Sequence, residues 1–291
     1  MSSSFLTSSP AVPLAHIGST GELVVLLASV VAAAWFYTRG VAALWHQAGH
    51  GRGISPWRTW SFLGGLAVIL VALLGPIPVA ADRLFSSHMV QHQLLMVAAA
   101  PLLILGRPGM ALVWALPRSQ RRPVTLWRHR LRINLLMARP VALVLMVASL
   151  WAWHIPTVYE AAVRTPLLHS FEHITLFGTS VLFWASLGVR HERQLAGSVV
   201  SLFLAGLATS ILAALLLFAG SPLYPEYAVG AARLGVSAIE DQRAAALVMW
   251  IPSGLVGIAA TSVLFIRWLG AIDGESDARL VETSATVGVA P

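Results

Sequence analysis

The sequence consists largely of apolar segments of about 20 residues, separated by short polar or proline-containing stretches. A transmembrane helix needs about 20 consecutive apolar residues, and inside a bilayer only helices and closed barrels satisfy every backbone polar group. We therefore predict an all-α, polytopic integral membrane protein of about seven transmembrane helices. The predicted spans are Glu22–Trp45, Trp60–Ala80, His88–Gly106, Pro140–Trp153, His169–Gly188, Ser198–Ala219 and Arg243–Trp268.

The composition leaves no room for a soluble domain beside these spans. Of the 291 residues, 57% are hydrophobic and only 11% are charged, whereas soluble proteins carry about 25% charged residues. We predict one membrane domain over residues 22–270, preceded by an outer tail at 1–21. The last segment, 271–291, is acidic and rich in small residues, which predicts a disordered cytoplasmic tail.

The distribution of arginine predicts the orientation of the chain. There are 19 arginines and no lysine, and eight of the arginines lie in one loop from Arg107 to Arg139. If that loop is cytoplasmic, 15 arginines lie on the cytoplasmic side and four on the outer side. Positive charge favours the cytoplasmic side, so we predict an outer N-terminus and a cytoplasmic C-terminus. Because the charge lies in loops between spans, nucleic-acid binding is not expected despite the net charge of +7.

Histidines are concentrated at one level of the predicted bundle. The chain has no cysteine, so a metal site must use histidine, methionine or carboxylate ligands. Five of the ten histidines lie at the outer ends of three predicted helices: His88, His92, His154, His169 and His173. Within each of the pairs His88/His92 and His169/His173, the residues are four apart and so share one helical face. Paired imidazoles at this spacing are typical of metal sites on helices.

Methionines lie below this histidine level. Met89 and Met96 follow the His88–His92 face toward the membrane interior, and Met146 and Met249 reach a similar depth. Imidazole and thioether ligands without a thiolate are suited to Cu(I). We therefore take Met89 and Met96, with the five histidines, as candidate metal ligands, although packing in the core is an alternative for each methionine.

Carboxylates on the outer side are candidates for orienting the histidines through the second ring nitrogen. Glu172 precedes His173, and because helix neighbours diverge by about 100° it is not expected to be a partner of that imidazole. The other acidic residues on this side are either orienting groups or ordinary loop charges: Asp82, Glu160, Glu226, Glu240 and Asp241.

Three segments in the same order resemble those of the CtaG family of bacterial cytochrome c oxidase assembly factors. They are His88–Pro108, Trp153–Trp184 and Asp241–Gly254. The resemblance implies a multi-pass protein of the bacterial plasma membrane that matures a haem–copper oxidase and helps insert copper into its catalytic subunit. The motif positions that it implies are His88, Met89, Gln91, His92, His154, His169, Glu172, His173, Asp241 and Gln242.

From the residues and the resemblance together, we expect a non-enzymatic assembly factor that binds Cu(I) transiently at the outer membrane face. Its expected partner is the catalytic subunit of the terminal oxidase, with a periplasmic protein as candidate copper donor. Three alternatives remain open. They are a non-metal assembly scaffold, a haem-handling protein with paired axial histidines, and a seven-helix zinc hydrolase with Asp82 or Asp241 as general base.

Overall fold

The computed structural model describes residues 20–130, 138–187 and 195–287, and these residues form an all-helical bundle. The longer helices are α1 (Thr20–Ala48), α2 (Pro56–Leu74), α4 (Phe85–Gln93), α7 (Arg118–Arg130), α8 (Arg139–Trp153), α9 (Pro156–Arg164), α10 (Pro166–Ser186), α11 (Leu195–Leu217) and α13 (Ala238–Val287). Shorter helices are α3 (Pro76–Ala81), α5 (Ala100–Leu105), α6 (Pro108–Ala115) and α12 (Ala228–Arg233). The all-α prediction is confirmed.

Among the described residues, five helical segments are long and apolar enough to cross a membrane: Gly21–Ala48, Pro56–Leu74, Phe85–Leu105, Leu195–Leu217 and Ala238–Gly270. The bent pair of α8 and α9 makes a sixth if it is one span. The remaining predicted span, His169–Gly188, corresponds to α10, which has 21 residues. Its first half carries His169, Glu172 and His173, and these polar groups lower its hydropathy. The orientation in the membrane stays a prediction.

Most of the predicted N-terminal tail and the last residues of the predicted C-terminal tail lie outside the described chain. Residues 1–19 of the outer tail and 288–291 of the C-terminal tail lie outside the described residues, as does Arg132 of the arginine-rich loop. Helix α13 continues to Val287, so the described helix extends into the segment for which the composition predicts disorder. The division into two tails and one membrane domain stays a prediction.

A proline bends the chain sharply at the histidine level. Helices α8 and α9 meet at an angle of 77°, with Pro156 as the first residue of α9. Proline disfavours the helical conformation in the residue before it, and Ile155 is accordingly extended, with ψ of 122°. The bend places His154 at the end of α8, where its backbone carbonyl has no helical partner. That carbonyl accepts a hydrogen bond of 2.8 Å from the Tyr224 hydroxyl.

A widened helical turn follows directly after His92. Residues Leu94–Ala99 form a π-helical turn between α4 and α5. Pro101, in the next turn, has no backbone N–H to donate to the preceding turn. In this turn the Met96 carbonyl is free to accept a hydrogen bond of 3.1 Å from the Trp184 indole on α10. This contact fixes α10 against the helix that carries His92.

The helices pack around two large apolar clusters. One joins α4, α8, α10, α11 and α13 around Phe85, Met89, Leu150, Leu176 and Met249. The other joins α1, α2 and α6 around buried side chains that include Tyr37, Phe62 and Ala111. The first cluster lies next to the histidines and determines how closely α4, α10 and α13 approach.

Two polar side chains of α13 tie other parts of the bundle to it. The Asp241 carboxylate accepts hydrogen bonds from the Phe85 N–H at 2.7 Å, the Ser86 N–H at 3.1 Å and the Ser86 hydroxyl at 2.5 Å. It therefore caps the N-terminus of α4 from a different helix. The Gln242 amide donates to the Leu216 carbonyl at 3.0 Å and accepts from the Leu223 N–H at 2.6 Å. Together the two residues hold α4, α11 and the chain after α11 against α13.

Helices α1 and α6 approach so closely that only glycine fits between them. A Cβ atom at Gly40 would collide with the backbone carbonyl of Ala111. In contrast, a Cβ atom at Gly64 on α2 would have no neighbour within 4 Å. Close helix packing therefore requires glycine at position 40 but not at position 64.

We expect Gly40→Ala to destabilise the protein by about 1–3 kcal/mol, because overpacking forces backbone shifts. Gly64→Ala is the matched control and should leave stability nearly unchanged. The midpoint of thermal unfolding in detergent, followed by fluorescence-detected size exclusion, measures both. Equal midpoints for the two variants would contradict the close packing of α1 on α6.

We expect Asp241→Ala to lower stability by about 2 kcal/mol, because it removes the cap of α4 and leaves one buried and one partly buried N–H group without an acceptor. Asp241→Asn retains one acceptor oxygen and should lose less than half as much. The same thermal assay measures both variants. An alanine variant as stable as wild type would show that Asp241 does not hold α4.

Candidate metal centre

Four of the five predicted histidines meet between two helices. His88 and His92 lie on α4, and His169 and His173 lie on α10, each pair with ring centroids 4.5 Å apart. Across the helix interface, the rings of His88 and His169 are 5.2 Å apart and those of His92 and His173 are 5.0 Å apart. Two one-turn pairs therefore face each other and bring four imidazoles together, a meeting of two helices that the spacing within each pair does not itself predict.

Glu172, one of the motif positions that the resemblance implies, lies within the same cluster, although its place next to His173 did not indicate an orienting partner. Its side chain is only 1% exposed, and its Oε1 atom is 3.3 Å from His92 Nε2 and 4.0 Å from His88 Nε2. Its Oε2 atom has no hydrogen-bond partner in the described part of the chain. The signal that could have identified it is its spacing from His169, since residues three apart on a helix share a face.

His88 is held by hydrogen bonds on both ring nitrogens. Its Nε2 atom is 2.7 Å from His92 Nε2, and its Nδ1 atom is 3.2 Å from the Tyr227 hydroxyl. Tyr227 in turn lies 2.8 Å from the hydroxyl of Tyr159. Both tyrosines are buried, and nothing in the sequence spacing pointed to either one. The phenol pair gives the His88 ring a fixed orientation.

The hydrogen bonding of His154 differs from that of the four clustered histidines. Its Nδ1 atom is 2.7 Å from the Leu150 carbonyl, so this nitrogen carries the proton and donates. The lone pair is therefore on Nε2, which has no hydrogen-bond partner among the described residues. His154 is buried and available as a donor, but it belongs to neither of the three-residue groups that can hold an ion.

The two candidate methionines lie in apolar surroundings. Met89 and Met96 are both buried in the cluster that contains Phe85, Leu150 and Trp153. That environment agrees with the packing alternative for each of them, and their role as ligands stays a prediction. Met249 is in the same apolar cluster, whereas Met146 packs with Phe183 and Leu202 in another.

Four of the five outer carboxylates considered as orienting groups have partners away from the histidines. Arg164 bridges Glu160 at 2.7 Å and Glu226 at 2.6 Å. Glu240 accepts from Ser237 at the start of α13, and Asp241 caps α4. The group next to the imidazoles is Glu172, which the spacing argument had set aside.

The cluster offers two sets of three ligand atoms that can hold a metal ion. One set comprises His88, His169 and His173, and the other comprises His88, His92 and Glu172. Within each set the ligand atoms lie within 4.8 Å of one another. All members except the half-buried His173 are buried, so a bound ion would be shielded from water.

The comparison with known families agrees with this arrangement of motifs. The profile of the cytochrome c oxidase caa3 assembly factor family (Caa3_CtaG) matches residues 35–271, which include every residue of the cluster. No curated protein and no solved structure matches the chain significantly. The match spans well over half of the chain, and it covers all three segments on which the resemblance to CtaG rests. The chain therefore belongs to the cytochrome c oxidase caa3 assembly factor family, as those three segments predicted.

Proposed function

We propose that this oxidase assembly factor binds Cu(I) in the cluster of imidazoles and assists its insertion into the catalytic subunit of the oxidase. The observation that carries the proposal is the meeting of four histidines and one glutamate in a buried space between α4 and α10. Burying four imidazoles and a carboxylate in one place is costly. Because the members of this family assemble an oxidase, a role in metal handling would explain why such a costly buried cluster is kept.

The donor groups fit a copper ion. His92 Nδ1 and Glu172 Oε2 are buried without hydrogen-bond partners in the described residues, so the cluster is not satisfied by its own contacts. Imidazole nitrogens are good ligands for Cu(I), and the chain offers no thiolate that would compete for it. Neutral ligands also release an ion more readily than thiolates do, which suits a protein that passes its cargo on.

Each residue of the cluster has a separate part in this proposal. His88, His92, His169 and His173 hold the ion, and His154 supplies a further nitrogen from the end of α8. Met89 and Met96 are proposed as soft ligands on the membrane side of the cluster. The Tyr227 hydroxyl accepts the Nδ1 proton of His88, which leaves the Nε2 lone pair for the ion.

The place of the site in the cell follows from the arginine asymmetry. An outer N-terminus puts the cluster at the outer face of the bacterial plasma membrane. Copper would then arrive from a periplasmic donor and leave to the oxidase catalytic subunit within the membrane. The chain binds and transfers an ion in this scheme and catalyses no reaction.

One observation weighs against the alternative of a zinc hydrolase. That reaction needs a free carboxylate as general base next to the metal-bound water. Asp241, one of the two candidates for this role, accepts three hydrogen bonds as the cap of α4. Its carboxylate oxygens are therefore already used in capping α4.

We expect His88→Ala to lower the affinity for Cu(I) at least about tenfold, because loss of even an orienting residue costs 10–100-fold in metal sites. His46→Ala, at an exposed position of α1, is the control and should bind like wild type. Anaerobic titration of the purified proteins against a Cu(I) chelator measures both. Equal affinities in all three proteins would exclude the cluster as the copper site.

In cells, the double variant His88→Ala/His92→Ala should leave the oxidase copper-poor and with several-fold lower activity. Metal analysis and oxygen consumption of the purified oxidase measure these effects, with the variant present in the membrane at wild-type levels. Full copper content and activity would contradict copper delivery. A copper-replete oxidase that fails to assemble would instead support the scaffold alternative.

A further inference from the structure

The two ligand sets in the cluster differ in chemistry, and we infer that the set containing Glu172 is a separate position for a divalent cation. This inference rests on the proposed function in one respect, that the cluster binds metal ions. It goes beyond that proposal by assigning the carboxylate set to a divalent ion, such as Zn(II), and the imidazole set to Cu(I). The two positions share His88.

The atoms of the carboxylate set are spaced as ligands of one small ion. His88 Nε2, His92 Nε2 and Glu172 Oε1 lie 2.7, 3.3 and 4.0 Å from one another. Bonds of about 2.0–2.1 Å at tetrahedral angles put ligand atoms about 3.4 Å apart, and the observed distances bracket that value. Small rotations of the side chains therefore complete the set without moving α4 or α10.

The donor atoms distinguish the two positions. Two imidazoles and one carboxylate are typical ligands of Zn(II) with an open fourth position. The imidazole set of His88, His169 and His173 has no hard oxygen and is neutral, which suits a soft monovalent ion. The cluster thus contains one ligand set whose donor atoms suit a borderline-hard ion and another whose donor atoms suit a softer ion.

Charge favours a divalent ion next to Glu172. This carboxylate is 1% exposed, and the side chains that its Oε1 atom approaches, at 3.3 and 4.0 Å, are the imidazoles of His92 and His88. An ionised carboxylate in such a place needs a cation close by. An ion of charge +2 bound by Glu172 and two neutral imidazoles leaves a net charge of +1, which costs less to bury than the bare ion.

His88 makes the two positions mutually exclusive. A neutral imidazole has one N–H and one lone pair, and the His88 Nδ1 atom is bonded to Tyr227. One lone pair serves one ion, so both sets cannot be complete at the same time. A divalent ion in the carboxylate set therefore excludes Cu(I) from the imidazole set, and the protein holds one ion in total.

The test uses purified protein titrated anaerobically with Zn(II) or Cu(I) against chelators, with wild type, Glu172→Gln and His169→Ala. Glutamine preserves the size of the side chain and removes its charge. We expect Glu172→Gln to weaken Zn(II) binding at least about tenfold and to change Cu(I) affinity by less than about threefold. His169→Ala should do the reverse. Wild type should bind one ion, and saturating Cu(I) should release bound Zn(II).

The outcomes distinguish this inference from the proposed function. If both variants lost affinity for Zn(II) and Cu(I) to the same extent, the two metals would share one position and the inference would be wrong. If wild type bound two ions at once, the two positions would not exclude each other and the inference would also be wrong. A wild-type protein that binds Zn(II) through Glu172 but no Cu(I) would overturn the copper function and support the divalent site. Monodisperse elution and an unchanged melting midpoint identify variants that are folded.

Discussion

The burial of Glu172 among four imidazoles is the constraint on which the rest of this bundle depends. A carboxylate that is 1% exposed inside a membrane domain is stable only if its charge is offset and its surroundings are held rigidly. The surrounding contacts provide that rigidity. Asp241 fixes the start of α4 through Phe85 and Ser86, and Trp184 fixes α10 to the turn after His92. The ligand atoms are thus positioned before any ion arrives.

The end of the bundle that carries the histidines is built from broken helices, and these breaks create the polar contacts around the site. The bend at Pro156 frees the His154 carbonyl for Tyr224 and puts Tyr159 on a separate short helix. Arg164 on that helix pairs with Glu226, which precedes Tyr227 in sequence. The ion pair is exposed and contributes little free energy by itself. Its role is to keep α9 next to the turn that carries Tyr227, so that the two tyrosines meet behind His88.

Much of this arrangement could be predicted from the sequence, because helix periodicity and apolar length are local properties. The all-α fold and the pairs His88/His92 and His169/His173 follow from spacing alone. The meeting of α4 with α10 does not, because it depends on packing between distant segments. Glu172 was set aside since it is adjacent to His173, although its spacing from His169 puts it on the same face. The role of Asp241 as a cap was also hidden, because its partners are 155 and 156 residues away.

The chemistry of the cluster is also suited to the metal handling that we propose for a chain without cysteine. A thiolate site binds tightly by neutralising the ion, and release then requires a competing thiol. Neutral imidazoles leave the charge of the ion uncompensated in a medium of low dielectric constant, so the bound state is less stable and transfer is easier. Glu172 adds one negative charge to one side of this cluster. In the two positions that we propose, the charge of the ion would therefore determine where it is held most stably, and the position of a single carboxylate would separate retention from transfer.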